Sequence, residues 1–151
     1  MKTLSTRPTV SDQIIAFADL IGYHRHICAR RTPEEGFEFL TEYYSIVQRV
    51  CEGSDARIVK FMGDSILILF RAESPDAALD ALREMKAEID SWLVRSGHDS
   101  RLRIKAHVGE VAIGSLGGAE FDVCGLAVNE TALLPDREWV LSDVLRKRTN
   151  A

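Results

Sequence analysis

Between Arg57 and Phe70 the sequence reads RIVKFMGDSILILF, two strand-like runs joined by a turn. Ile58, Val59, Phe61 and Met62 supply the apolar positions of the first run, and Ile66 to Phe70 follow without a break in the second. An unbroken apolar run this short predicts a strand buried on both faces of a sheet. Gly63-Asp64 between them is a hairpin dipeptide, because Gly takes positive φ freely and Asp tolerates the tight backbone. One carboxylate, Asp64, is thereby set at the mouth of a hairpin, with Lys60 on the incoming strand. Taken alone, Asp64 reads sooner as a turn former and Lys60 as a solvated charge than either does as a functional group.

A second carboxylate sharpens the reading. QIIAFADLIGY, from Gln13 to Tyr23, is another apolar strand ending in Asp19, with Gly22 after it. Two Asp residues at the ends of two buried strands suit a hard cation with oxygen ligands, and Mg²⁺ is held in this way by one or two carboxylates plus substrate phosphates. A pair of such ions a few Å apart serves in-line displacement at phosphorus.

At 151 residues the chain is long enough for one domain with a real core. We expect a tail over residues 1–12 and a single domain over 13–151. A net charge of −4 argues against a nucleic-acid polymer or an anionic membrane as main partner, while leaving room for one nucleotide in a pocket. Cys28, Cys51 and Cys124 form no Cys-x-x-Cys pair, which points to a reducing compartment. No signal-peptide core or membrane-length apolar run is present, so the expectation is a soluble, cytoplasmic protein.

Along the chain the first strand is expected over Gln13–Ala18 and a short helix over Tyr23–Arg30. Thr32-Pro33-Glu34-Glu35 starts a long helix, with Thr32 as N-cap and Glu35 closing a capping box. That helix carries two adjacent apolar stripes: Phe37, Leu40, Tyr44, Val47 and Cys51, and beside them Phe39, Tyr43, Ile46 and Val50. A face so wide suits a sheet and also a partner chain. Ser74-Pro75-Asp76 opens the next helix, with Ala78, Leu82, Met85, Ile89 and Trp92 inward. RLRIKAHVG, Arg101 to Gly109, alternates as a half-buried strand. A projecting loop at Ser115–Gly118, a short helix over Leu126–Leu134, a strand at Trp139–Leu141 and a basic helix capped by Ser142 complete the order. The predicted fold class is α+β, a mixed and mostly antiparallel sheet with helices packed on it.

Three blocks in this order resemble the catalytic domain of class III nucleotidyl cyclases, the adenylate and guanylate cyclases. IIAFADLIGY is similar to the family's strand ending in a metal-binding Asp. IVKFMGDSILILF is similar to its Lys-x-x-Gly-Asp hairpin. RIKAHVGEVAIGSLGGAEFDVCGLAVNE is similar to its His-x-Gly-x-Val strand, then Asp-x-x-Gly, then Val-Asn. The resemblance covers roughly residues 13–145 and implies a ferredoxin-like core.

It also implies roles. Asp19 and Asp64 would hold two Mg²⁺ or Mn²⁺ ions, with the Leu20 carbonyl as a further ligand. Lys60 and Asp122 would read the base as the adenine-selective pair, where guanylate cyclases place Glu and Cys; Cys124 is not that Cys. Asn129 would orient the ribose. In the family these groups act across a dimer interface, which implies a homodimer with two composite sites. Two departures accompany this. The family's Arg four residues after the Asn is Leu133 here, and the further strand pair that often brings a phosphate-binding Lys is expected to be missing, since the sequence ends at Ala151. Arg137, Arg146 and Lys147 are the candidate substitutes. The implied function is conversion of ATP to 3′,5′-cyclic AMP and pyrophosphate in intracellular signalling, with weak turnover that favours Mn²⁺. The alternatives are a degenerate cyclase-like domain that binds nucleotide or dimerises in a regulatory role, and a cyclase for another base.

Overall fold

Strand β3, Ser65–Arg71, has Ile66, Leu67, Ile68, Leu69 and Phe70 all buried, as its unbroken apolar run predicts. Strand β2, Arg57–Met62, returns against it through the turn at Gly63, whose φ of +57° favours glycine. The computed structural model describes residues 7–150. Residues 1–6 of the expected tail lie outside the described residues. Strand β1, Thr9–Leu20, lies between β3 and the long strand β4, Leu102–Leu116, and is antiparallel to both. Strand β5, Ala119–Cys124, folds back on β4, giving the order β2-β3-β1-β4-β5. Strand β6, Trp139–Leu141, joins β4 in parallel at Ile104–Ala106, so the sheet is mixed and mostly antiparallel as expected.

β1 begins earlier than the expected Gln13. Thr9 to Asp12 pair with Ile113 to Glu110 through the backbone while their side chains stay largely exposed. A strand segment held by its ladder alone leaves no apolar alternation to find. The expected helix at Tyr23–Arg30 is instead a turn of π-helix, Tyr23–Ile27, followed by a 3-10 turn, Cys28–Arg30.

Helix α1, Pro33–Glu52, starts where predicted: the Thr32 hydroxyl accepts the Glu35 N–H at 3.2 Å and donates to the Glu35 carboxylate at 3.1 Å. Of its two apolar stripes, Phe39, Tyr43, Ile46 and Val50 are buried in the main core together with Val47 and Cys51. Phe37, the fifth residue of the helix, is 76% exposed and lies outside that core. Helix α2, Pro75–Arg95, buries Ala78, Leu82, Met85, Ile89 and Trp92 as expected. Ser74 precedes it but makes no side-chain cap; with φ −127° and ψ 61° its backbone lacks the usual extended cap conformation. Both helices cover one face of the sheet and enclose the main core.

The other face carries a smaller cluster of Ile15, Leu67, Leu69, Val111, Val123 and Ala127. Helix α3, Leu126–Ala132, seats on it, and Phe17, Val59, Ile113, Phe121 and Val128 are only half-buried there. Helix α4, Asp143–Lys147, follows β6, with the Ser142 hydroxyl accepting the Leu145 N–H. The seat of α3 depends on Gly109, where a Cβ would stand 2.7 Å from the Ala127 Cβ. Gly109→Ala therefore pushes α3 off β4. We expect destabilisation of about 1–3 kcal/mol, read as a drop in Tm by calorimetry; an unchanged Tm would show that α3 is not tightly seated.

Candidate active site

The end of β1 and the β2–β3 turn meet at one end of the sheet. The Leu20 N–H donates to Asp64 Oδ2 at 3.0 Å, which draws the Asp64 carboxylate to the residue after Asp19. Two tyrosines of α1 hold the turn from below. The Tyr43 hydroxyl donates to the Asp64 carbonyl at 2.9 Å, and the Tyr44 hydroxyl donates to the Gly63 carbonyl. Tyr44 also stacks on Phe61, with ring centroids 4.0 Å apart. Burial pushes the Asp64 carboxyl above its ordinary value; the Leu20 N–H draws it back, and the neighbouring Asp19 charge raises it again. Crowded carboxylates of this kind are stabilised by a cation.

Asp19 meets a cation already. Arg103 on β4 grips it with two parallel bonds, Nε to Oδ1 at 2.8 Å and Nη2 to Oδ2 at 2.7 Å. The pair follows from register, since Asp19 lies directly opposite Arg103 in the β1–β4 ladder. The carboxylate holds the guanidinium above its ordinary value. Two residues along β4, on the same face, Lys105 donates to the Ala132 carbonyl at 3.2 Å and to Asp136 at 2.7 Å. Asp136 also lies 3.8 Å from Arg103. Neither Arg103 nor Lys105 is singled out by the sequence; the alternation of RLRIKAHVG puts both on the polar side of the strand, and only the pairing with β1 shows what they face. Arg146, a candidate substitute cation, is engaged with the Leu141 carbonyl and Asp143.

Lys60 and Asp122, far apart in sequence, form an ion pair at 2.9 Å. β2 and β5 stand at opposite ends of the strand order, so this contact requires the sheet to curl until its two ends meet. Arg57 seals the same junction, its guanidinium 3.4 Å from the centre of the Phe121 ring. A bulge at Val59 aims the lysine. Arg57 pairs with Leu69 and Lys60 with Leu67, so both point to the α3 side of the sheet, whereas strict alternation would turn Lys60 toward the helices α1 and α2. The Asp122 side chain is 13% exposed, and the Lys60 ammonium holds its carboxyl below the ordinary range.

Asn129 is exposed on α3, and Leu133, at the C-terminal end of the same helix, is 83% exposed. His107 ties this helix down: one ring nitrogen lies 2.9 Å from the Glu130 carboxylate and the other 2.7 Å from the Ser142 hydroxyl. Within the chain, no hydrogen bond or ion pair among the described residues joins Lys60–Asp122 to Asp19–Asp64. The structure thus places two separate charged clusters: Asp19, Asp64 and Arg103 at the end of β1, and the Lys60–Asp122 pair between β2 and β5.

No group of three or more His, Cys, Asp or Glu side chains able to hold a metal occurs among the described residues. Asp19 and Asp64 offer a two-carboxylate oxygen set, which fits a hard cation completed by phosphate and water. No helix among the described residues is long and apolar enough to cross a membrane.

A family model described as the adenylate and guanylate cyclase catalytic domain matches residues 7–135. An adenylate cyclase of Anabaena cylindrica is 29% identical over 126 residues, covering 76% of this chain and 25% of that protein. Adenylate cyclase 1 of Rhizobium meliloti (strain 1021) is 27% identical over 99 residues, covering 60% and 15%. The chain therefore spans a quarter or less of the length of these relatives. A bacterial light-regulated adenylyl cyclase superposes with a TM-score of 0.84 at 21% identity, covering 100% of this chain and 49% of that one. The guanylyl cyclase Cya2 gives 0.83 at 23% identity, covering 97% and 82%. At these identities the superpositions establish the shared fold.

Proposed function

The chain belongs to the adenylate and guanylate cyclase catalytic domain family, and from that premise we propose that it converts ATP to 3′,5′-cyclic AMP and pyrophosphate. The observation that carries this reading is the Leu20–Asp64 hydrogen bond, which sets a second carboxylate beside Asp19 at one end of the sheet. Asp19 and Asp64 would hold two Mg²⁺ or Mn²⁺ ions, with the Leu20 carbonyl as a further ligand. Such ions lower the pKa of the 3′-hydroxyl and neutralise charge on the triphosphate. The ribose 3′-oxygen attacks the α-phosphorus, the bond from that phosphorus to the bridging oxygen breaks, pyrophosphate leaves, and the hydroxyl proton passes to solvent.

The remaining work belongs to the protein. The Lys60 ammonium donates to, and the Asp122 carboxylate accepts from, the edge of the adenine base. Asn129 orients the ribose. Arg103, once Asp19 turns to a cation, has a guanidinium to offer a phosphate oxygen. The two clusters combine in a homodimer, in which a second copy covers the half-buried Phe17, Ile113 and Val128 face and brings its Lys60–Asp122 pair to the first copy's carboxylates.

The test is to incubate the purified protein with Mn²⁺ and each of the four ribonucleoside triphosphates and to identify cyclic products by mass spectrometry. The expected result is cyclic AMP from ATP, with more turnover in Mn²⁺ than in Mg²⁺, because its looser coordination tolerates an incomplete site better. A second reading is favoured by one observation: Leu133, exposed at the end of α3, cannot donate a hydrogen bond. On that reading the domain binds nucleotide in a regulatory role, and no cyclic product appears from any triphosphate although ATP binds. Cyclic product from a different triphosphate would identify another base.

A further inference from the structure

We propose that Lys105 is a phosphate-binding residue of the nucleotide site, held in reserve by Asp136; this rests on the cyclase reading above. Lys105 lines a pocket of about 130 Å³ together with Phe17, Ala18, Asp19, Ser65 and Ala132. Its side chain is only 12% exposed, so protein partners replace part of the water on its ammonium. These partners are the Ala132 carbonyl at 3.2 Å and the carboxylate of Asp136, a residue whose side chain is 74% exposed. An exposed carboxylate holds an amine weakly and is released at little cost.

The charges around this pocket alternate: Asp19, Arg103, Asp136, Lys105. A dication on Asp19 competes for the two oxygens that Arg103 now occupies. Arg103 then falls back on Asp136, its only other acidic partner among the described ion pairs, and Asp136 cannot serve two cations well. Dication binding therefore leaves surplus positive charge at Arg103 and Lys105, beside the place where the dication sits. The triphosphate is the anion that balances it. Lys105 reaches this position from the same face of β4 as Arg103, opposite Phe17, two residues deeper in the sheet than Asp19.

The experiment measures binding of the non-cyclisable analogue 3′-deoxy-ATP and of 3′-deoxyadenosine in Mn²⁺ by titration calorimetry. It compares wild type with Lys105→Met, Lys105→Arg and Asp136→Asn. Lys105→Met is expected to weaken 3′-deoxy-ATP binding on the order of tenfold while leaving 3′-deoxyadenosine unchanged, and Lys105→Arg is expected to retain most of the affinity. Asp136→Asn frees the amine and is expected to strengthen 3′-deoxy-ATP binding. The opposite signs are decisive: if the Lys105–Asp136 pair only braces the fold, both variants weaken binding or neither changes it, and the proposal fails. Equal loss for nucleotide and nucleoside in Lys105→Met also overturns it. Wild-type protein that binds neither analogue and makes no cyclic product overturns the cyclase reading, and this proposal with it.

Discussion

Asp64→Asn is expected to lower the rate of cyclic-nucleotide formation by at least about 10²–10³, while the domain stays folded. The magnitude follows from the several kcal/mol that a metal ion contributes to stabilising charge at phosphorus, lost when one of two carboxylates cannot hold it. The fold is spared for structural reasons. Asn keeps an oxygen to accept the Leu20 N–H, and the turn itself hangs on Tyr43 and Tyr44 through backbone carbonyls, which the substitution leaves alone. Stability is expected to hold or rise. Burial and the Asp19 charge place the folded-state pKa of Asp64 above its ordinary value, so the ionised form disfavours the fold at neutral pH, and a neutral side chain removes that penalty. Initial rates at saturating ATP and Mn²⁺, set beside thermal unfolding at pH 7, check both halves. A rate within tenfold of wild type would show that Asp64 is not a metal ligand.

Mixing two dead variants should give back activity. If each site takes its carboxylates from one copy and its base-binding pair from the other, Asp64→Asn and a Lys60→Met/Asp122→Ala double variant are each inactive as homodimers. In the mixed dimer both lesions fall in one site, and the other is wholly wild type. Equimolar mixing then yields half mixed dimers with one working site each, so about a quarter of the wild-type rate is expected. Sites contained within one chain give no recovery at any ratio, and that outcome would end the composite-site reading. The substitutions are tolerable to the fold, since the Lys60–Asp122 pair lies at the rim of the sheet and not in either core cluster.

The parts of this molecule that bury apolar surface could be read from the sequence. The unbroken run Ile66–Phe70 marked the fully buried strand, and Thr32-Pro33 marked the start of α1. Where two apolar stripes competed on that helix, periodicity could not choose; docking on the sheet turned Tyr43 inward and left Phe37 outside. The start of β1 was invisible because Thr9–Asp12 is held by backbone pairing alone. At the candidate site, Asp19, Asp64 and Lys60 were marked by the hairpin and the ends of two apolar strands, whereas Asp122, Asn129 and the base-reading role of Lys60 were reached only through the resemblance of short motifs. Arg103 and Lys105 were reached by neither route, because their meaning lies in strand register and not in spacing along one strand. Tyr43 and Tyr44 were read as apolar helix positions, and nothing in their spacing showed that their hydroxyls reach the hairpin turn. The face of Lys60 was hidden by one extra residue, Val59, which shifts the alternation of β2.

The curling of the sheet has a consequence for how the protein behaves in a crowded solution. β2 and β5 end the strand order, and open strand ends are templates for aggregation. Here each end shields the other, through Lys60 on Asp122 and Arg57 on Phe121, and each presents buried or paired charge to any incoming strand. The residues proposed for base recognition therefore also block edge-to-edge strand pairing between molecules. Redesigning this pair with apolar side chains to accept a different base would leave Arg57 on Phe121 as the remaining clasp, so the change in selectivity would come with a looser closure of the sheet and not with its loss.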